Sequence, residues 1–293
     1  MTRLCRRSLL LASAILWGLS LGAEPQQGSR GQSTPNATAY LGFDANDYPG
    51  DAMLPRLRES FAFSGYWLNN PPAVGHSGTD ADTWIGHRAA LQKQGFGFLV
   101  LFDGRWNREL KSVANARVLG ANDAATAVAN AKREDFPPGT VIFVDQEEGG
   151  SMYDEQMAYL LAWFDGVTSA GFRAGIYCSG MPGTKGDPDT VTANYVREHA
   201  GARKIVYFVF DDACPPSPGC VYGANPPQPA GSGVGFAAVW QFAQSPRRRK
   251  FTRSCASTYN RDGNCYAPGT SPSPRLPWID IESATSANPS GGR

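Results

Sequence analysis

Histidine is scarce in this chain. His76, His87 and His199 are the only three, and they are scattered through 293 residues. The cysteine spacings fit no zinc knuckle, and no G-x-S-x-G elbow occurs. Together these gaps count against a metal-dependent phosphodiesterase or deacetylase and against a serine hydrolase. An excess of one charge is lacking too: Lys plus Arg number 27 against 26 for Asp plus Glu. The chain as a whole has no field that would draw nucleic acid or an anionic membrane. The basic run Arg247-Arg248-Arg249-Lys250, next to Pro246 and polar residues, reads as a solvated loop. No phosphate-cradling glycine pattern follows the first apolar stretch, where Asp44 to Gly50 form the turn.

One long apolar run is present, Ser8 to Leu19, behind the basic Arg3, Arg6 and Arg7. It is too short for a confident membrane anchor, and its order is that of an export signal ending near Ala23. Arg6-Arg7-Ser8-Leu9-Leu10 is similar to a twin-arginine signal, with ordinary secretion the other route. Residues 1–23 are therefore expected to be removed, leaving a protein that is periplasmic, wall-associated or extracellular, with no stable membrane insertion. Residues 24–38, rich in Gln, Gly, Ser and Pro, read as a flexible leader, and 285–293 as a disordered tail. In an oxidising compartment Cys214, Cys220, Cys255 and Cys265 are expected to form disulfides. Two local bridges, one across Pro215 to Gly219 and one across the polar loop before Cys265, are the simplest arrangement. Cys178 is left as a small buried residue.

Apolar strands recur regularly at Tyr40–Asp44, Phe61–Trp67, Phe96–Phe102, Thr140–Asp145, Phe172–Tyr177, Lys204–Phe210, Phe236–Phe242 and Trp278–Ile281. Helical patterns separate them at Asp82–Gln94, Asn122–Arg133, Tyr153–Ala170 and Asp187–Ala200. Eight strands with intervening helices predict an α/β fold, a TIM-type (β/α)₈ barrel over residues 39–284. Its second half is less regular, with long loops at 211–233 and 244–277 that carry the cysteines.

A barrel gathers the carboxyl ends of its strands at one mouth. Those ends read Asp44, Trp67, Asp103, Asp145 with Glu147, Tyr177, Asp211, Gln241, and Asp280 with Glu282. Any single one of these acids, Asp103 or Asp211 for instance, is explained as a helix cap. Asp145 and Glu147 alternate onto one face, with alpha carbons about 6.6 Å apart in extended chain. Two carboxyls aimed at one point suit acid-assisted cleavage of a glycosidic bond. Glu148 turns to the opposite face, as a solvent acid or a cap of the next helix. Of the aromatics Trp67, Trp84, Trp106, Tyr153, Tyr177 and Trp240, one or two are expected to serve as sugar platforms and the rest as core.

Gly42-Phe43-Asp44, Val144-Asp145-Gln146-Glu147, Gly175-Ile176-Tyr177, Val239-Trp240-Gln241-Phe242 and Ile279-Asp280-Ile281 resemble, in order, the strand signatures of family 25 glycoside hydrolases. The resemblance is nearer to the related exported glycoside-hydrolase-like barrels. It implies a muramidase-like reaction on peptidoglycan or a related polysaccharide, without cofactor or metal, by a protein expected to be monomeric. It also implies Glu147 as general acid and base, assisted by Asp145. Asp44, Asp280, Tyr177, Gln241 and Trp67 would shape the sugar site. Repulsion among the four acids is expected to keep Glu147 protonated near neutral pH. The alternative is a carbohydrate-binding barrel of the same fold with little turnover.

Overall fold

The computed structural model describes residues 38–71, 83–183, 189–223, 225–270 and 278–293. The expected export signal, nearly all of the leader, and His76 lie outside them. So do the first residues of the helical patterns at Asp82 and Asp187. Eight strands close into one barrel in chain order. They are β1 Tyr40–Asp44, β2 Phe63–Trp67, β3 Gly97–Asp103, β4 Val141–Asp145, β5 Arg173–Ser179, β6 Val206–Phe210, β7 Val239–Ala243 and β8 Asp280–Ala284. From β1 to β7 every neighbouring pair is parallel. β4 is buried along its whole length, as a strand lined by barrel core on one side and helices on the other must be.

Five helices pack outside: α1 Leu54–Arg58, α2 Arg88–Lys93, α3 Val113–Arg133, α4 Asp154–Ser169 and α5 Thr192–His199. α4 buries Met157, Leu160 and Phe164, as its apolar stripe requires. α3 starts earlier than its pattern indicates, because the Ser112 side chain caps it by accepting from the Asn115 N–H. Its first turns are polar and alanine-rich, so their periodicity is faint. Gly120 lets α4 approach closely there; a Cβ at that position would collide with the Tyr159 carbonyl.

Three expectations are corrected. β8 does not complete a parallel barrel: it runs antiparallel to both β1 and β7. Asp280 therefore begins this strand and still stands at the mouth. A parallel strand requires the chain to travel back to the far end of the barrel first, usually along a helix. Among the described residues between β7 and β8 the one helical turn is Ala256–Thr258, and β8 starts at the mouth end of the barrel. Second, the disulfides are not local. Cys214 joins Cys255 and Cys220 joins Cys265, because the loops following β6 and β7 lie side by side; the Cys214 N–H donates to the Phe251 carbonyl at 3.0 Å. Cys178 is free and buried.

Third, residues 285–293 are packed rather than disordered. Ser290 is fully buried and inserts between the starts of β3 and β4: its N–H donates to the Phe98 carbonyl at 2.9 Å, and its carbonyl accepts from the Val141 N–H at 2.8 Å. The Phe98 N–H donates to Asn288 Oδ1 at 2.9 Å and the Val100 N–H to Ser290 Oγ at 2.8 Å. β3 begins pairing with β4 only at Val100, so the tail satisfies backbone groups that would otherwise be left bare. Gly97 admits it, since a Cβ there would strike the Ala287 carbonyl.

Candidate active site

At the opposite end, the strand termini enclose a cavity of about 460 Å³. Asp44, Trp67, Asp145, Glu147, Tyr177, Gln241 and Asp280 all line it. These are the seven positions marked from sequence. Register explains the convergence: Asp44 pairs with Asp280, Asp103 with Asp145, and Asp145 with Tyr177. Parallel strands that stop at the same level place their last side chains in one ring.

Hydrogen bonds fix one side of the ring. The Tyr177 hydroxyl donates to Gln241 Oε1 at 2.7 Å. The Gln241 amide then donates to Asp44 Oδ2 and Asp280 Oδ2, each at 3.2 Å. The Ser245 N–H donates to Asp280 Oδ1 at 2.6 Å. Trp67 is anchored through its indole N–H to the Ala45 carbonyl at 3.2 Å.

The opposite side holds the acidic pair. Asp145 is only 5% exposed, and its Oδ1 has no hydrogen-bond partner among the described residues. Burial, then the charges of Glu147, Asp103 and Asp44, raise its pKa well above the carboxylate range. Glu147 is different, since it reaches water through the cavity. The crowded walls strip enough hydration to raise its pKa, while a hydrogen bond from Asp145 and the positive charge of Arg248 lower it. Repulsion among the acids, expected to act on Glu147, therefore acts mainly on Asp145. Burial raises both carboxyls, and at Asp145 the charge of Glu147 adds to it.

Glu282, two residues beyond Asp280, is a site residue that sequence reasoning left without a role. It is fully buried, and neither carboxyl oxygen has a donor among the described residues. A charge so placed would be costly. Burial and the charges of Asp44 and Asp280 raise its pKa well above the usual range. Its partner in that repulsion, Asp44, is itself lifted by burial to about 6. The period-two alternation that put Asp280 at the mouth also put Glu282 on the same face.

Asp103 is no helix cap, since the next helical turn begins only at Asn107. Burial, then the charge of Glu147, lifts it to about 7. Asp211 does cap a turn, accepting from the Ala213 N–H at 2.9 Å. Glu148 accepts from the Asn107 N–H at 2.7 Å and from Gln156 in the first turn of α4 at 2.6 Å, pinning the loop after β4. Trp106 and Trp278 also line the cavity. Trp84 and Trp240 are core, and Tyr153 is exposed outside the cavity. Among the described residues no group of three or more His, Cys, Asp or Glu is arranged to hold a metal ion.

No curated protein matches the sequence. Among solved structures, an uncharacterized B. stearothermophilus protein is 21% identical with a TM-score of 0.53, over 84% of this chain and 95% of that one. At that identity the likeness extends to the fold alone. The Mycobacterium tuberculosis Tat-secreted protein Rv2525c, in complex with L-tartrate, is 10% identical over 84% of this chain and 94% of its own, with a TM-score of 0.46. The Clostridium perfringens spore cortex lytic enzyme SleM is 11% identical over 86% and 69%, with a TM-score of 0.48. A family model matches residues 83–203, from just before α2 to just before β6. That segment, which carries both Asp145 and Glu147, is similar to the Rv2525c-like, glycoside hydrolase-like domain.

Proposed function

We propose that this chain is an exported glycoside hydrolase that cleaves a cell-wall glycan, in a muramidase-like reaction with Glu147 as general acid and base. One observation carries the reading: an accessible carboxyl, Glu147, stands beside a buried one, Asp145, whose pKa burial raises, in the same cavity as Asp44 and Asp280. A sugar entering the cavity displaces water and raises the pKa of Glu147 further. In this reading the pair carries one proton, which Asp145, with its raised pKa, passes to Glu147. Glu147 delivers it to the glycosidic oxygen as the bond to the anomeric carbon breaks, so the leaving sugar departs as an alcohol. Asp145, now ionised, faces the positive charge that develops on the ring. Water then attacks, losing its proton to Glu147. Trp67 and Trp106 offer faces for sugar rings. No described helix is long and apolar enough to cross a membrane, and the export part of the reading rests on the N-terminal sequence.

A second reading, a glycan-binding barrel with little turnover, is favoured by the Asp145 side chain and the Arg248 charge, which both lower the pKa of Glu147 against the effect of burial and so weaken its hold on a proton. Reducing-end release from purified peptidoglycan separates the two. The hydrolase should release sugar, with Glu147→Gln lowering the rate by about a thousandfold or more. A binding barrel would sediment with the glycan and release nothing in either form.

A further inference from the structure

The loop between β7 and β8 is charged unlike the rest of the chain. Between Gln244 and Thr270 it holds six basic residues, Arg247, Arg248, Arg249, Lys250, Arg253 and Arg261, against a single acid, Asp262. The loop it is stitched to, residues 213–233, has no Lys, Arg, Asp or Glu. Two disulfides hold the pair together, so these charges sit on a fixed lobe.

Among the described residues of the lobe, only Arg248 is paired with a carboxylate. Its guanidinium forks onto the buried Asp212 and stacks over the Phe210 and Phe251 rings, 4.3 and 4.5 Å from their centroids. Asp262 is engaged by the Tyr266 hydroxyl at 2.7 Å and the Asn264 N–H at 3.0 Å. Arg249, Lys250, Arg253 and Arg261 are exposed and have no carboxylate within ion-pair distance among the described residues.

The lobe adjoins the acidic cavity directly. Gln244, Ser245 and Pro246 line that cavity, and the basic run begins at the next residue. Trp278, on the far side of the same excursion, lines it too. Those carboxyls of the ring that are ionised at neutral pH, such as Asp44 with a pKa of about 6, repel a polymer bearing negative groups over a range of about 8–10 Å at moderate salt. Fixed positive charge at the edge of the ring offsets that repulsion for a strand leaving on this side. We propose that this lobe is a binding surface for the negatively charged substituents of the glycan, so that the substrate is a carboxylate-bearing strand rather than a neutral one. The proposal builds on the glycan reading of the cavity but does not depend on turnover.

The test is co-sedimentation with insoluble peptidoglycan freed of phosphate-containing polymers. The protein is the full chain carrying Glu147→Gln, with and without Arg249→Gln, Lys250→Gln and Arg253→Gln together. These three side chains are exposed and outside the cavity, so the fold should be unaffected. The expected result is an about tenfold weaker association at low salt, a difference that disappears near about 0.5 M salt. Binding to chitin, a neutral β-1,4-linked glycan, should not change. Removing the peptide stems enzymatically tells apart the two carboxylate sources: loss of the difference places the contact on the stems, and its persistence places it on the sugars. Undiminished binding by the triple variant, equal loss on chitin, preference for a phosphodiester polymer, or no binding by the parent would overturn the proposal. A parent that shows this charge dependence yet never releases sugar would strike the hydrolase reading and leave the lobe standing.

Discussion

From β3 to β5 the chain alternates strand and helix, whereas from β6 to β8 it makes two excursions, two crosslinks and one reversed strand. Both regions supply the cavity, but by different physical means. In the first, α3 and α4 pack against each other at Gly120 and hold β4, so Asp145 and Glu147 issue from a rigid, buried strand. In the second, few helical contacts are available. Asp280 is placed by an antiparallel ladder with β1 and by the Ser245 N–H, and the loops around it are fixed by sulfur. Regular packing positions the acidic pair, and covalent stitching positions its surroundings.

That contrast can be broken on either side. Replacing Cys214 and Cys220 by Ser should cost the most, because closing loops of 41 and 45 residues is worth roughly 4 kcal/mol each in the chain-entropy description. The loops overlap, so the combined loss should fall short of the sum, and denaturant unfolding should show it. On the regular side, Gly120→Val forces α3 away from the Tyr159 carbonyl and should destabilise by about 1–3 kcal/mol with the disulfides intact.

The acids themselves set a smaller, pH-dependent effect. Asp44 and Asp103 are raised to about 6 and about 7 by burial, against about 4 in the unfolded chain. The folded protein therefore binds more protons than the unfolded one between about pH 4 and 7, and stability falls as pH rises through that window. Melting at pH 5 should exceed that at pH 8. Glu282→Gln removes a buried ionisable group whose pKa is raised by burial and by the charges of Asp44 and Asp280, so it should make that fall shallower. The smallest effect belongs to Asp165→Asn. Its pair with Arg203, at 2.6 Å, is half open to solvent, and breaking it should change stability by less than about 1 kcal/mol.

Much of the cavity could be read in advance because strand alternation and barrel closure are local rules. Val144-Asp145-Gln146-Glu147 announces a buried strand ending in two acids on one face, and Gly42-Phe43-Asp44 announces another. Glu282 shows the limit: alternation set its face, but only the packing around it, which leaves both carboxyl oxygens without a donor among the described residues, raises its pKa. The tail shows another. Ser-Ala-Asn-Pro-Ser-Gly-Gly reads as disordered, yet Asn288 and Ser290 find backbone groups that β3 and β4 leave unpaired.

The sequence alone determined which residues end strands and which face they take, since a period of two and a run of buried side chains are properties of neighbours along the chain. The direction of β8, the pairing of the cysteines and the burial that raises the acidic pair were decided by the tertiary structure. Each of these depends on which distant segments lie side by side, and on how much water they leave between them.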